Sequence, residues 1–337
     1  MANSADLDSL AIELEDVQQA AERIRQYAHV TPVLTCDTLD RLAGRQLYLK
    51  CENLQKTGAF KFRGACNAVQ SLSEEEASRG VITHSSGNHA GALASAAAAR
   101  CIKAYIVVPE GTPQCKLDAI AGYGAQLEIC APGIEAREAA CRRLQQATGA
   151  VFIPPYNYAP VMAGQGTVAL ELLKQVQGLD AIIVCVSGGG LISGIATAAK
   201  GLNPDITILA AEPSGRNDAA DVAAALQAGH LVEIDPPDTI ADGLKARMGT
   251  LTWPVIRQRV DGAIVVSEED IVNAMQLCYE RAKVVVEPSG AAALAAALNP
   301  SFQQDPRWQH LRRVGIILSG GNADLAGKGL WASFLRR

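Results

Sequence analysis

The chain has 337 residues, 49% of them apolar and 19% charged, enough to bury a substantial core and too apolar for a chain disordered throughout. Lys and Arg number 30 against 35 Asp and Glu, a net charge of −5, and aromatics are only 4%. That balance excludes a nucleic-acid partner, which asks for a basic patch with stacking rings, and equally a polybasic membrane face. No apolar run approaches the ~18 residues of a spanning helix. The acidic start, Met1-Ala-Asn-Ser-Ala-Asp-Leu7, lacks the basic and apolar regions of a signal peptide. Cys36, Cys51, Cys66, Cys101, Cys115, Cys130, Cys141, Cys185 and Cys278 are odd in number and scattered, with no Cys-x-x-Cys pair. They form no disulfide framework or paired-Cys zinc site, and read as reduced, small apolar thiols in a cytoplasmic protein.

In chain order the pattern predicts a helix over 17–27, a strand over 46–50, a helix over 62–72, a strand over 80–84 and a helix over 89–99. A strand at 104–108, a helix at 113–121, a strand at 127–131 and helices at 134–147 and 161–177 follow. The second half reads as strand 180–186, helix 192–200, strand 206–211, helix 217–227, strand 262–266, helices 268–281 and 290–298, and strand 314–318. Several strands are continuous apolar runs, as in Ala181-Ile-Ile-Val-Cys-Val186, which suits strands covered on both faces of a parallel sheet. The alternation predicts an α/β chain with two open, twisted, mainly parallel sheets and helices on both faces. Soft boundaries near Asn53 and at Pro154 and Pro155 divide it into a larger unit, residues 1–53 and 155–337, and a smaller inserted one, residues 54–154.

In such sheets ligands bind beyond the carboxyl ends of the strands. After 180–186 comes Ser187-Gly-Gly-Gly-Leu191, directly before a helix. Successive glycines let the backbone approach an anion, and the free amides of the helix start point at it. No Gly-Lys-Ser/Thr closes the loop and the dinucleotide spacing is absent, so a small phosphorylated ligand is expected rather than a nucleotide. The other reading is a tight turn in which glycine serves sterics alone. After 80–84 comes Ser85-Ser-Gly-Asn-His89, able to cap the next helix and to bind a carboxylate with the same amides; capping alone is its plainer reading. After 314–318 comes Ser319-Gly-Gly-Asn322, by itself an ordinary turn. A fourth candidate is Lys61, flanked by Phe60 and Phe62. Desolvation there would lower its pKa and free the amine for Schiff-base chemistry, against the ordinary reading of a surface lysine at a helix start. Hydrolase and zincin motifs are absent.

These segments, in this order, resemble the threonine/serine dehydratase and serine racemase family, pyridoxal-phosphate (PLP) enzymes of fold type II, the tryptophan-synthase-β-like fold. The resemblance spans His29-Val-Thr-Pro-Val-Leu34 to Ser319-Gly-Gly-Asn-Ala-Asp-Leu325. It rests on Lys50-Cys-Glu-Asn-Leu-Gln-Lys-Thr-Gly-Ala-Phe-Lys-Phe-Arg-Gly64, residues 85–89, Ala163-Gly-Gln-Gly-Thr167 and Ala241-Asp-Gly-Leu244. It implies that Lys61 carries the cofactor as a Schiff base and takes the substrate Cα proton, with Phe60 packed beside the ring. By the same likeness Ser187, Gly188, Gly189, Gly190 and Leu191 hold the phosphate and Asn88 bonds the ring oxygen. Ser319 faces the pyridine nitrogen, and Gly243 and Glu287 line the ring edge. Ser86 matches the serine on the face opposite Lys61, and Ser85, Ser86, Gly87, Asn88 and His89 match the loop that grips the substrate carboxylate. Glu212, Asp218 and the carbonyl of Arg216 match a divalent-cation site, for Mg²⁺ or a similar ion.

The resemblance implies β-elimination of L-threonine or L-serine to a 2-oxo acid and ammonia. The alternatives are a serine racemase or a dehydratase of another 3-hydroxy amino acid, such as hydroxyaspartate or phenylserine. A homo-oligomer, dimer or tetramer, is expected. Gly91 stands where ATP-responsive racemases carry glutamine, which predicts no nucleotide activation, and Asn157 stands where relatives usually have aspartate. The chain ends about twelve residues past Leu325, so no carboxyl-terminal regulatory domain is expected.

Overall fold

A computed structural model describes residues 9–323; Asp324 and Leu325, the end of the last motif, lie outside them. Ten strands form two sheets. They are β1 (Val33–Leu34), β2 (Gln46–Cys51), β3 (Val81–His84), β4 (Ala104–Pro109), β5 (Gln126–Cys130), β6 (Val151–Phe152), β7 (Ala181–Cys185), β8 (Thr207–Pro213), β9 (Gly262–Val266) and β10 (Arg313–Leu318). The six-stranded sheet runs β1-β2-β10-β7-β8-β9 and the four-stranded one β5-β4-β3-β6. Every pairing is parallel except β1 with β2. The α/β class with two mainly parallel sheets therefore holds. Strands β7 and β8 are buried at every residue, because helices cover both faces and leave no reason for an apolar–polar alternation.

All eight predicted strands form, within two residues at each end. The two-residue strands β1 and β6 were not predicted, being too short to carry a period. Helices Asp37–Ala43, Glu74–Arg79, Thr252–Arg259 and Pro300–Gln303 were also missed. The second of these had a readable signal: Ser73 and Glu76 form a reciprocal capping box. Two predicted helices are corrected. The one expected from 217 begins at Asp221, since Asp218 takes a positive φ of 50°, which a helix does not admit. The one expected over 268–281 leaves α geometry after Leu277 and makes a π turn, Cys278–Ala282, closed by Lys283 at φ 61°.

The helix Lys61–Gln70 joins the two layers. Phe62, Ala65, Cys66 and Val69 lie in one core with the helix Asn88–Ala99 and the four-stranded sheet. Its other side meets the helix Ala159–Gln175 so closely that a Cβ on Gly164 would stand 2.7 Å from the Arg63 carbonyl oxygen. That approach explains why the Ala163–Thr167 motif carries glycine there.

Arg63 is 1% exposed and makes two forked ion pairs. Nε and Nη2 reach Glu52 at 2.7 and 2.8 Å, while Nη1 and Nη2 reach Glu171 at 2.7 and 2.8 Å. Lys50 completes the cluster with Nζ 2.6 Å from Glu171. Two cations and two carboxylates balance, which is the condition for keeping buried charge. Burial alone would raise the Glu52 pKa, yet the Arg63 guanidinium holds it below the usual range. The cluster fixes the start of the helix that bears Lys61.

Candidate active site

Lys61 is the first residue of its helix, reached through the short turns that lead in from β2. Its Nζ donates to the carbonyl of Pro155 at 2.8 Å and lies 5.1 Å from the Phe60 ring centroid. Burial pushes the amine down to about 8, only partly offset by Cys185 and Glu287 nearby. The expectation that both phenylalanines flank it is corrected. Phe62 turns into the core at 1% exposure, and Lys56 lies over its ring, because consecutive helical residues point about 100° apart. Lys50 is the instructive contrast, a buried lysine answered by a carboxylate at 2.6 Å. Lys61 has a carbonyl instead, so its proton is held less tightly.

The turn after β10 closes over this lysine. Phe60 N donates to Ser319 O at 3.0 Å and Gly321 N to Gly58 O at 2.9 Å. Ser319 is 2% exposed; its hydroxyl donates to Ser289 O at 3.4 Å and accepts from the Cys185 thiol at 3.2 Å. Burial raises that thiol to about 11, so the two groups bonded to the Ser319 hydroxyl, a thiol and a backbone carbonyl, are neutral. Asn88 Nδ2 donates to Glu287 Oε1 at 2.6 Å, and Asn322 Nδ2 donates to Asn88 Oδ1 at 2.9 Å. Burial raises Glu287 to about 7 against the opposing Asn88 hydrogen bond. Gly243, in a 3₁₀ turn, donates its amide to Ser289 Oγ at 2.9 Å, beside the same segment. Lys61, Phe60, Asn88, Glu287, Ser319 and Gly243 thus come together from five separate stretches of chain.

The 187–191 loop reaches this group through Pro155 and Tyr156. A Cβ on Gly188 would stand 2.4 Å from the Tyr156 ring, and Gly189 has a φ of +90°. Glycine is therefore demanded by protein packing, as the steric reading held. The anion reading gains a separate support. Gly188, Gly189, Gly190 and Leu191 are buried, and among the described residues their amides donate to no protein acceptor. Buried, convergent N–H groups at the start of the helix Gly190–Leu202 fit a phosphate. Thr252 Oγ1 donates to Gly188 O at 2.8 Å, and Ser187 Oγ bonds both N and O of Ala246, so the cradle is built before any ligand arrives. A desolvated lysine able to form a Schiff base and unpaired buried amides able to hold a phosphate fit pyridoxal phosphate.

The 85–89 loop opens the helix Asn88–Ala99. Ser86 is half-buried and forms no hydrogen bond within the described protein. Gly87 is exposed, and a Cβ there would meet nothing within 4 Å. His89 differs from its neighbours: it is 2% exposed, its Nε2 bonds Ile153 O at 2.9 Å, and burial drives its pKa down to about 3. Its ring ties the loop to Ile153, with Nδ1 buried and unpaired among the described residues. Asn157 clasps the opposite rim, with Oδ1 accepting from Leu251 N at 2.8 Å and Nδ2 donating to Thr250 Oγ1 at 3.1 Å.

Of the expected cation residues, Glu212 lies at the carboxyl end of β8, and Arg216 and Asp218 follow the strand. Glu212 accepts from the amides of Val222 and Ala223 at 2.9 and 3.0 Å, and burial together with a hydrogen bond to Asp221 raises it to about 8. Arg216 pairs with Asp238 at 3.2 Å. Among the described residues no three His, Cys, Asp or Glu side chains stand together as a ready metal site.

Residues to which sequence reasoning gave no site role are Pro155, Tyr156, Cys185 and Thr252. Only Tyr156 had a signal, since three adjacent glycines imply a bulky wall.

The comparisons agree with this geometry. Residues 24–320 match the family described as pyridoxal-phosphate dependent enzyme. The chain belongs to that family. It is 51% identical to the serine racemase of Arabidopsis thaliana over 330 residues, 98% of each chain. The solved structure of maize serine racemase superposes with a TM-score of 0.92 at 49% identity, covering 96% of this chain and 97% of the other. The processed form of threonine deaminase isoform 2 from Solanum lycopersicum gives 0.86 at 32% identity, covering 96% and 87%. Within the threonine/serine dehydratase and serine racemase group, the more similar relatives are racemases and the deaminases are structural neighbours. The dehydratase expectation is thus less well supported than its racemase alternative. No helix among the described residues is long and apolar enough to cross a membrane.

Proposed function

We propose that the chain interconverts L- and D-serine, with elimination of water from serine as an accompanying reaction. The observation that carries this is the 51% identity to a serine racemase along 98% of both chains, in a chain that carries both Lys61 and Ser86. Bound pyridoxal phosphate would make the Cα–H bond of an attached amino acid acidic by spreading the charge left behind. The protein's share is proton placement. Lys61 Nζ, with its pKa near 8, takes the proton from one face of Cα and holds it. Ser86 Oγ, free of other partners, delivers a proton to the opposite face, and exchange with solvent then removes the extra proton from Lys61 and restores the Ser86 hydroxyl; conversion of the D-isomer uses the two groups in the reverse order. Ser319 would offer the cofactor's ring nitrogen a neutral hydroxyl in place of a carboxylic proton donor, so departure of the protonated β-hydroxyl as water would compete with reprotonation at Cα. Asn88 and the amides at the start of its helix orient the substrate.

Chiral analysis of the products from L-serine tests the reading. Wild type is expected to form D-serine faster than 2-oxo acid. Ser86→Ala should lose D-serine formation by a factor of about 10² or more while 2-oxo acid release from L-serine persists. Racemisation at the wild-type rate in Ser86→Ala removes Ser86 from its role, and 2-oxo acid without D-serine from the wild type returns the dehydratase reading.

The divalent cation is part of the same proposal. Glu212, Asp218 and the carbonyl of Arg216 are hard oxygen donors suited to Mg²⁺, and Glu212 also hydrogen-bonds the buried Asp221. Added Mg²⁺ should raise the thermal midpoint and chelator should lower it; a midpoint indifferent to both counts against the site.

A further inference from the structure

At the end of β2 and β10 remote from Lys61 lies an open hollow of about 580 Å³, lined by Arg41, Arg45, Arg312, Arg313, Asp40 and Gln46. Four arginines face one aspartate, and the single carboxylate is engaged elsewhere: Asp40 Oδ1 accepts from Leu47 N at 2.9 Å. Arg313 is satisfied by the carbonyls of Gly178 and Gln177 and by Gln46 Oε1, all at 3.0 Å. Arg45 is not. It is 8% exposed, its Nη1 is buried without a hydrogen-bond partner, and its guanidinium stacks 4.1 Å over the Phe302 ring. Burial and the nearby Arg312 both lower its pKa, the reverse of what a counter-ion would do. A guanidinium buried without a carboxylate is costly. The contrast within the chain is plain, because Arg63, more deeply buried at 1% exposed, has two carboxylates forked onto it.

We propose that this hollow binds a multiply charged, phosphate-bearing anion, with Arg45 as its buried anchor and Arg312 and Arg41 as its exposed arms. Planar guanidinium forks match phosphate oxygens in pairs, and an anion of two or more charges answers the excess of arginine here. The place is separate from the catalytic site. Both strands begin at the hollow and end at the site, one leading to Lys61 and the other to Ser319, six residues or about 20 Å along each strand.

The test uses the holoenzyme, whose 187–191 loop is already filled by cofactor phosphate, titrated calorimetrically with inorganic pyrophosphate against sodium chloride of matched ionic strength. Saturable one-site binding is expected, weakened tenfold or more in Arg312→Ser and in Arg45→Gln, with cofactor absorbance and serine turnover in plain buffer unchanged. Arg312 is exposed, so Arg312→Ser remains informative if Arg45→Gln fails to fold. Equal affinity in wild type and Arg312→Ser, or heats no larger than those of the matched salt, overturns the proposal. Tighter binding of succinate than of pyrophosphate overturns the phosphate assignment.

Discussion

Two loops of this molecule leave parallel strands, open helices and present backbone amides, yet they are built in opposite ways. The 187–191 loop is buried, walled by Tyr156 and latched by Thr252 and Ser187. The 85–89 loop has an exposed glycine with open space around it, a local bond from Gly87 N to Ser85 Oγ, and side-chain anchors only at its far end, Asn88 and His89. The first suits a group that stays bound through every turnover, since its amides are aligned beforehand and cost nothing to order. The second suits a carboxylate that must come and go, because segments with few buried contacts open readily.

The difference is breakable. The largest effect is expected from Gly188→Ala, whose new Cβ meets the Tyr156 ring at 2.4 Å. Overpacking of that kind costs about 1–3 kcal/mol, so the thermal midpoint should fall by several degrees and cofactor affinity, read by absorbance titration, should drop with it. In a Tyr156→Ala background the same change should cost less, and an undiminished cost would show that the ring is not the wall.

An intermediate effect is expected at His89. Its folded pKa near 3 lies below the ordinary value of 6.5, so the unfolded chain binds the extra proton. Its contribution to stability is complete above about 6.5 and is lost as pH falls toward 3. Glu287, raised to about 7, works in the opposite sense between 7 and its ordinary value. The comparison of wild type with His89→Asn isolates the histidine. Denaturation midpoints across that range should fall less steeply in the variant, and parallel curves would contradict the assignment. The smallest effect belongs to Gly87→Ala. Stability should stay within about 0.5 kcal/mol of wild type, as for exposed positions generally, with any change confined to KM for serine.

Legibility in the sequence followed the same division. Strands such as β7 and β10 could be read because a continuous apolar run ahead of a glycine-rich turn has one structural meaning in an α/β chain. The loops at strand ends followed from topology, and the roles of Lys61, Asn88, Ser319 and Glu287 from the resemblance. Contacts made across the chain were not legible. No local pattern announces that Asn88 meets Glu287, 199 positions away, or that Cys185 donates to Ser319 from 134 positions away. His89 read as a loop residue because a single residue near a helix start does not reveal which way its ring turns. Phe62 misled for the same reason, as neighbours in sequence point apart on a helix. The buried cluster around Arg63 lay inside a quoted motif, yet its partner Glu171 sits outside it on another helix.

Everything proposed for the site depends on Lys61 being the amine joined to the cofactor. Borohydride reduction of the protein with pyridoxal phosphate, followed by peptide mapping, tests that directly. The expected result is one stable phosphopyridoxyl label, on the peptide containing Lys61. A label on Lys56, Lys116 or Lys50 instead, or no stable label, would contradict the account.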